Sequence, residues 1–201
     1  MMNTTTDNLN RRILVIDDNQ AIHDDFRKIL GESDSPDAAL EAAEARIFGT
    51  PAPMLFEIDT ACQGEEGLKM VEKALAEGRP YAMAFVDVRM PPGWDGIETT
   101  QRIWQICPDL QVVICTAFSD CSWNDMQEQI NPQDRLMVLK KPFDTIEILQ
   151  MANALTQKWL RLQESKVEFG DLQRMVSART RELEESQAAA VSMMADAVRH
   201  R

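Results

Sequence analysis

Five short apolar runs alternate with amphipathic stretches through the first two thirds of the chain. They are Arg12–Ile16, Leu55–Ala61, Ala82–Val86, Leu110–Cys115 and Leu136–Leu139. Between them, helical spacing is read over Gln20–Leu30, with Ile22, Phe26, Ile29 and Leu30 on one side, and over Glu65–Ala76, Ile97–Ile106 and Asp120–Ile130. Gly78 and Pro80 stop the second of these helices, and Pro91, Pro92 and Gly93 mark a loop. Alternation of this kind predicts an α/β protein, a doubly wound five-stranded parallel sheet with helices on both faces. The near-continuous apolar character of the strands fits, because central parallel strands are buried on both sides. In such a sheet, ligands gather at the carboxyl ends of the strands.

The residues expected at that edge are Asp17 and Asp18, Asp87, Thr116 and Lys141. Each alone says little, since an aspartate after a strand also serves as the N-cap of the next helix. Together they describe a chemistry. Crowded carboxylates stay ionised most readily around a divalent cation, and hard oxygen ligands with room for water suit Mg²⁺. One carboxylate can then act as nucleophile toward a phosphoryl donor. The cation, the Lys141 ammonium and the Thr116 hydroxyl would engage the phosphoryl oxygens.

These pieces, V-I-D-D (Val15–Asp18), D-V-R-M-P (Asp87–Pro91) followed by Asp95-Gly96, Thr116-Ala117, and K-P-F (Lys141–Phe143), resemble the receiver domains of two-component response regulators. The resemblance covers roughly residues 11–154 and implies the flavodoxin-like receiver fold. It implies that Asp87 is the phosphoacceptor, and that Asp18, assisted by Asp17, Asp87 and the backbone carbonyl of Arg89, holds Mg²⁺. Thr116, Ala117 and Lys141 would grip the phosphoryl group. The expected partner is a sensor histidine kinase or a phosphotransfer protein. Three departures stand out. An inserted helix is expected over Pro36–Phe48. The P-P-G-W-D-G loop is longer by one residue, with Trp94 either a contact surface or loop packing. Val138 occupies the place where many receivers carry the aromatic that turns inward on activation. Phe118 is a candidate to shield the phosphoryl group from water, and Val138 and Phe118 are the positions to examine for readout.

From Asp144 onward the pattern is helical. Ile148, Leu155, Leu162, Phe169, Val176, Leu183 and Ala190 recur at steps of seven, which predicts a coiled coil rather than a helix packed on the body. The companion seam is mixed, and Gly170 costs about 1 kcal/mol relative to alanine in mid-helix. The alternative is a solvated helix. Ala178–Ser186 (A-R-T-R-E-L-E-E-S) resembles the signalling coiled coils that connect receivers to output domains. The expected division is a receiver at 11–154 and a signalling helix at 155–201, acting as a homodimer on an output domain outside this sequence, because no output motif is found here.

The charge distribution agrees. A net charge of −12 offers no basic footprint for nucleic acid, and the acid excess lies before Asp144. Cys62, Cys107, Cys115 and Cys121 form no C-x-x-C pair and read as reduced, small hydrophobic residues. No apolar run is long enough to cross a bilayer, and Met1–Asn10 lacks the apolar centre of a signal peptide, so a cytoplasmic protein without membrane contact is expected. Two other readings compete. One is an aspartate-nucleophile phosphatase of the haloacid dehalogenase type, which requires D-x-D-x-T where this chain has D-D-N-Q (Asp17–Gln20). The other is a dimerisation module that works without phosphorylation. On the leading reading the protein is no enzyme beyond catalysing its own phosphorylation and dephosphorylation.

Overall fold

The computed structural model describes residues 10–31, 55–117 and 134–199. Its strands are β1 (Arg12–Ile16), β2 (Glu57–Ala61), β3 (Met83–Asp87), β4 (Gln111–Thr116) and β5 (Leu136–Lys140). Its helices are α1 (Gln20–Leu30), α2 (Gly64–Ala76), α3 (Gly96–Ile106) and α4 (Thr145–Arg199). The helices expected over Pro36–Phe48 and Asp120–Ile130 lie outside the described residues, as do Phe118 and Cys121.

The sheet is five-stranded with the order β2-β1-β3-β4-β5, and every neighbouring pair is parallel. This is the doubly wound, flavodoxin-like receiver order, with the switch point between β1 and β3. Central strands β3 and β4 are buried throughout, whereas the edge strands β2 and β5 are buried only in part. The difference follows from position, because an edge strand keeps one flank near solvent.

Side chains divide by the period-two rule of a strand. Ile13 and Val15 of β1, Met83 and Phe85 of β3, and Val113 and Cys115 of β4 point to one face. There they meet Phe26 and Leu30 of α1. Leu14, Ile16, Ala84, Val86, Val112 and Ile114 point to the other, against Val71 and Ala74 of α2 and Ile97 and Ile103 of α3. Caps fix where two helices begin. The Asn19 side chain accepts from the Ala21 amide at 3.0 Å, and Asp95 accepts from the Glu98 amide at 2.7 Å; each such cap stabilises by about 1 kcal/mol.

The seven-residue repeat of α4 has two fates. The chain divides into two compact units, Met1–Leu160 and Arg161–Arg201. In the first, Ile148, Ala152 and Leu155 join the core that holds Phe26 and Phe85. Ile148 and Leu155 are 0% and 4% exposed, while Phe169, Val176 and Leu183 in the second unit are 68%, 64% and 56% exposed. The expected coiled-coil seam from Ile148 is therefore, at its start, a stripe packed on the body. A period of seven cannot tell the two apart, because a core-facing helix and a coiled-coil seam both place residues one heptad apart on one side.

That division makes a prediction. Ile148→Ala or Leu155→Ala lowers the stability of the first unit by about 2–5 kcal/mol, whereas Phe169→Ala or Val176→Ala leaves its urea midpoint unchanged. Unfolding followed by tryptophan fluorescence measures both.

Candidate functional site

Strand register brings the predicted residues to one edge. The Asp17 amide donates to the Ala61 carbonyl at 3.1 Å, fixing the exit of β1 against β2. Asp87 closes β3 opposite Cys115 of β4. Thr116 closes β4 opposite Lys140, and the Lys141 amide donates to the Thr116 carbonyl at 2.8 Å. Strand alternation then turns Lys141, not Lys140, toward the acids.

The Lys141 ammonium lies 2.7 Å from Asp17 Oδ2 and 2.7 Å from Asp87 Oδ1. The remaining oxygens are held by backbone, since Asp17 Oδ1 accepts from the Asn19 amide at 2.9 Å and Asp87 Oδ2 from the Arg89 amide at 3.2 Å. Asp17 and Asp87 are 2% and 8% exposed, whereas Asp18 is exposed. Carboxylate oxygens of all three lie within 4.8 Å of one another. This donor set fits Mg²⁺: all hard oxygen, two members held in place and one open to water. A cation among these oxygens would compete with the Lys141 ammonium for Asp17 and Asp87.

Electrostatics follow from this packing. Burial pushes the Asp87 carboxyl up; the Lys141 hydrogen bond and charge pull it back, the Asp17 charge adds to the rise, and the net direction is up. For Lys141, burial disfavours the ammonium, but its hydrogen bonds to Asp17 and Asp87 outweigh that and raise its pKa. Burial also pushes the Cys115 thiol far up, so the sulfur beside Asp87 stays protonated and inert as a nucleophile.

The remaining residues singled out from the sequence fall into place unevenly. Thr116 is buried and its hydroxyl donates to the Ala117 carbonyl at 3.0 Å. That contact is one it would have to give up to reach a phosphoryl oxygen. Ala117 and Arg89 are exposed. Val138 is half-buried against the α2–α3 face of the core. Trp94 is half-buried with the Arg102 guanidinium 4.0 Å from its ring centre, so loop packing is at least part of its role. Two further contacts shape the loop after Asp87. Gln63 donates from Nε2 to the Pro91 carbonyl at 3.3 Å, tying the end of β2 to the loop after Asp87. Gly96 lies so close under that loop that a Cβ would stand 2.2 Å from the Asp87 carbonyl oxygen. The Asp-Gly pair is visible in the sequence; the contact that demands its glycine is not.

Comparison with known proteins agrees with this fold. Residues 45–153 match the family model described as the response regulator receiver domain. No curated protein matches. Among solved structures, the chain is similar to a CheY-like response regulator receiver domain protein from Methanospirillum hungatei JF-1. That match has 19% identity and a TM-score of 0.53, covering 75% of this chain and 97% of that one. It is similar to the signal receiver domain of an HD domain-containing protein from Pseudomonas fluorescens Pf-5, at 18% identity and a TM-score of 0.57, covering 81% and 98%. It is also similar to an adenylate cyclase from Rhodopirellula baltica, at 25% identity and a TM-score of 0.57, covering 80% and 97%. The family match begins after β1 and α1, yet parallel pairing of β1 with both β2 and β3 puts Asp17 and Asp18 in the same site.

The bridging ammonium yields a stability prediction. Lys141→Met leaves Asp17 and Asp87 facing each other without a cation, and should cost about 3 kcal/mol in metal-free buffer. A carboxyl whose folded pKa lies above its ordinary 3.8 stabilises fully only below that value and less as pH rises through the folded one. Removing Lys141 raises the Asp87 value further, so the loss is larger at pH 8 than at pH 5, and added Mg²⁺ recovers part of it. Urea midpoints at the two pH values, with chelator and with Mg²⁺, measure this.

Proposed function

The chain belongs to the response regulator receiver domain family, and on that premise we propose that it is a two-component signalling switch whose phosphoacceptor is Asp87. The observation that carries this reading is one ammonium bridging two buried carboxylates, with a third carboxylate within 4.8 Å. Asp17, Asp18, Asp87 and the Arg89 carbonyl would hold Mg²⁺, which supplies positive charge to the transferring phosphoryl group. An Asp87 oxygen attacks the phosphorus of the donor, the bond from phosphorus to its leaving group breaks, and an acyl phosphate forms. Burial pushes the Asp87 carboxyl up, and the Lys141 hydrogen bond and charge oppose that rise and favour the ionised nucleophile. In the product, Lys141 and Thr116 turn to the new phosphoryl oxygens. The phosphoryl donor is a sensor histidine kinase or a phosphotransfer protein, so the protein works on the cytoplasmic side, where ATP feeds such kinases. Among the described residues no helix is long and apolar enough to cross a membrane.

The division of labour is a receiver that ends with the first turns of α4 and a signalling helix beyond it. In that second unit Val167, Phe169, Leu172, Met175, Val176 and Leu183 are all exposed. A helix with this much open apolar surface on a seven-residue repeat is covered best by a second copy of itself. The homodimer then carries the phosphorylation state to an output. Val138 in place of an inward-turning aromatic favours, as a second reading, a dimer that ignores phosphorylation.

Incubation with Mg²⁺ and acetyl phosphate should add one phosphoryl group by intact mass, and Asp87→Asn should abolish it; equal labelling of that variant would sink the assignment. Asp18→Asn should slow labelling about a hundredfold or more. Light scattering of the full chain should show a dimer that Val176→Glu dissociates. A mass shift or a change in dimer affinity with beryllofluoride, a phosphoryl mimic, supports the switch, and insensitivity to it supports the second reading.

A further inference from the structure

Phe143 stands between the Lys141 ammonium and the root of α4. Its ring centre is 5.8 Å from Lys141 Nζ, within reach of a cation–π attraction. On its other side the ring meets Phe26 edge-on at 5.5 Å, and Phe26 tilts onto Phe85 at 4.6 Å. Phe26 and Phe85 are fully buried and share one core cluster with Ile148, Ala152 and Leu155 of α4, and Phe143 packs against that cluster. Between Phe143 and the helix there is only Asp144. Its side chain accepts from the Ile146 amide at 2.7 Å and its carbonyl from the Ile148 amide at 3.2 Å. The connection from ammonium to helix is thus short, and tied at each step.

We propose that Phe143 is a positioning residue that couples the state of Lys141 to the first turns of α4. The inference rests on the reading of Asp87 as phosphoacceptor. When Lys141 turns from Asp17 toward a phosphoryl oxygen on Asp87, the ring behind it shifts against Phe26. Packed interiors pass such displacements on, because they have no slack to absorb them. Val138, the position where an aromatic readout would sit, packs in the opposite cluster, on the α2–α3 face. A signal leaving by Val138 would therefore enter the sheet face that does not hold Ile148. The Phe143 route leads straight to that residue, and gives this chain a readout without an aromatic on β5.

Amide hydrogen exchange over residues 144–160 of the full chain, with and without Mg²⁺ and beryllofluoride, tests the coupling. Native mass spectrometry counts the bound mimic in parallel. In the parent, loading should change exchange across this segment. Phe143→Leu should still load, but its exchange change should shrink about fivefold or more, while Phe143→Tyr should restore it. A merely structural ring would alter stability in both states alike and leave the loading-dependent difference intact. If Phe143→Leu does not fold, Phe26→Leu cuts the same contact from the other side and must show the same loss. A loaded Phe143→Leu with the parent's full exchange change overturns the proposal, and so does a loaded parent with no change at 144–160. Failure of the parent to load at all shows in the mass spectrum instead, and strikes the phosphoacceptor reading beneath it.

Discussion

Two carboxylates buried to 2% and 8% exposure are a liability in any protein interior, and here one ammonium 2.7 Å from each offsets their repulsion. Everything else at the carboxyl edge of the sheet serves this arrangement. The bond from the Lys141 amide to the Thr116 carbonyl sets the height of the lysine above the sheet. Amides of Asn19 and Arg89 occupy the carboxylate oxygens the ammonium does not reach. Burying a charge costs most when it is left without a partner. Because the acids share a cation, they can lie close together at one edge of the sheet.

The sheet order makes this possible. Asp17 and Lys141 are 124 residues apart in sequence, and parallel pairing through β3 and β4 brings them into contact. The loop that follows Asp87 is constrained twice more, by Gln63 donating to Pro91 and by Gly96 approaching the Asp87 carbonyl too closely for any side chain. The loop after Asp87 therefore rests on rigid elements, as precise placement of a side chain at this edge requires.

The long C-terminal helix joins two tasks in one periodic stripe. Its first turns complete the hydrophobic core on the α1 face, and its later turns leave the same repeat open. A helix rooted in the core that also supports the lysine loop is well placed to respond to that loop. Such a root is bistable more readily than it is elastic, since close-packed side chains favour discrete arrangements over gradual bending.

Much of this is legible in the residues themselves. The alternation of apolar runs and amphipathic stretches defines the α/β class, because strand and helix periods differ and each element must bury an apolar face. Local chemistry also marks Asp17, Asp18, Asp87, Thr116 and Lys141, since polar residues that recur directly after apolar strands gather at the one sheet edge where ligands bind. The ammonium that bridges Asp17 and Asp87, the contact that forbids a side chain at Gly96, the Gln63 strap and the Phe143–Phe26 link are not readable there, because each joins residues that only the sheet makes neighbours. Likewise the repeat in α4 announces a buried stripe but not its partner. A period of seven records that one side of a helix is covered, whereas only the tertiary structure decides by what, and here it assigns Ile148 and Leu155 to the body and leaves Phe169, Val176 and Leu183 exposed.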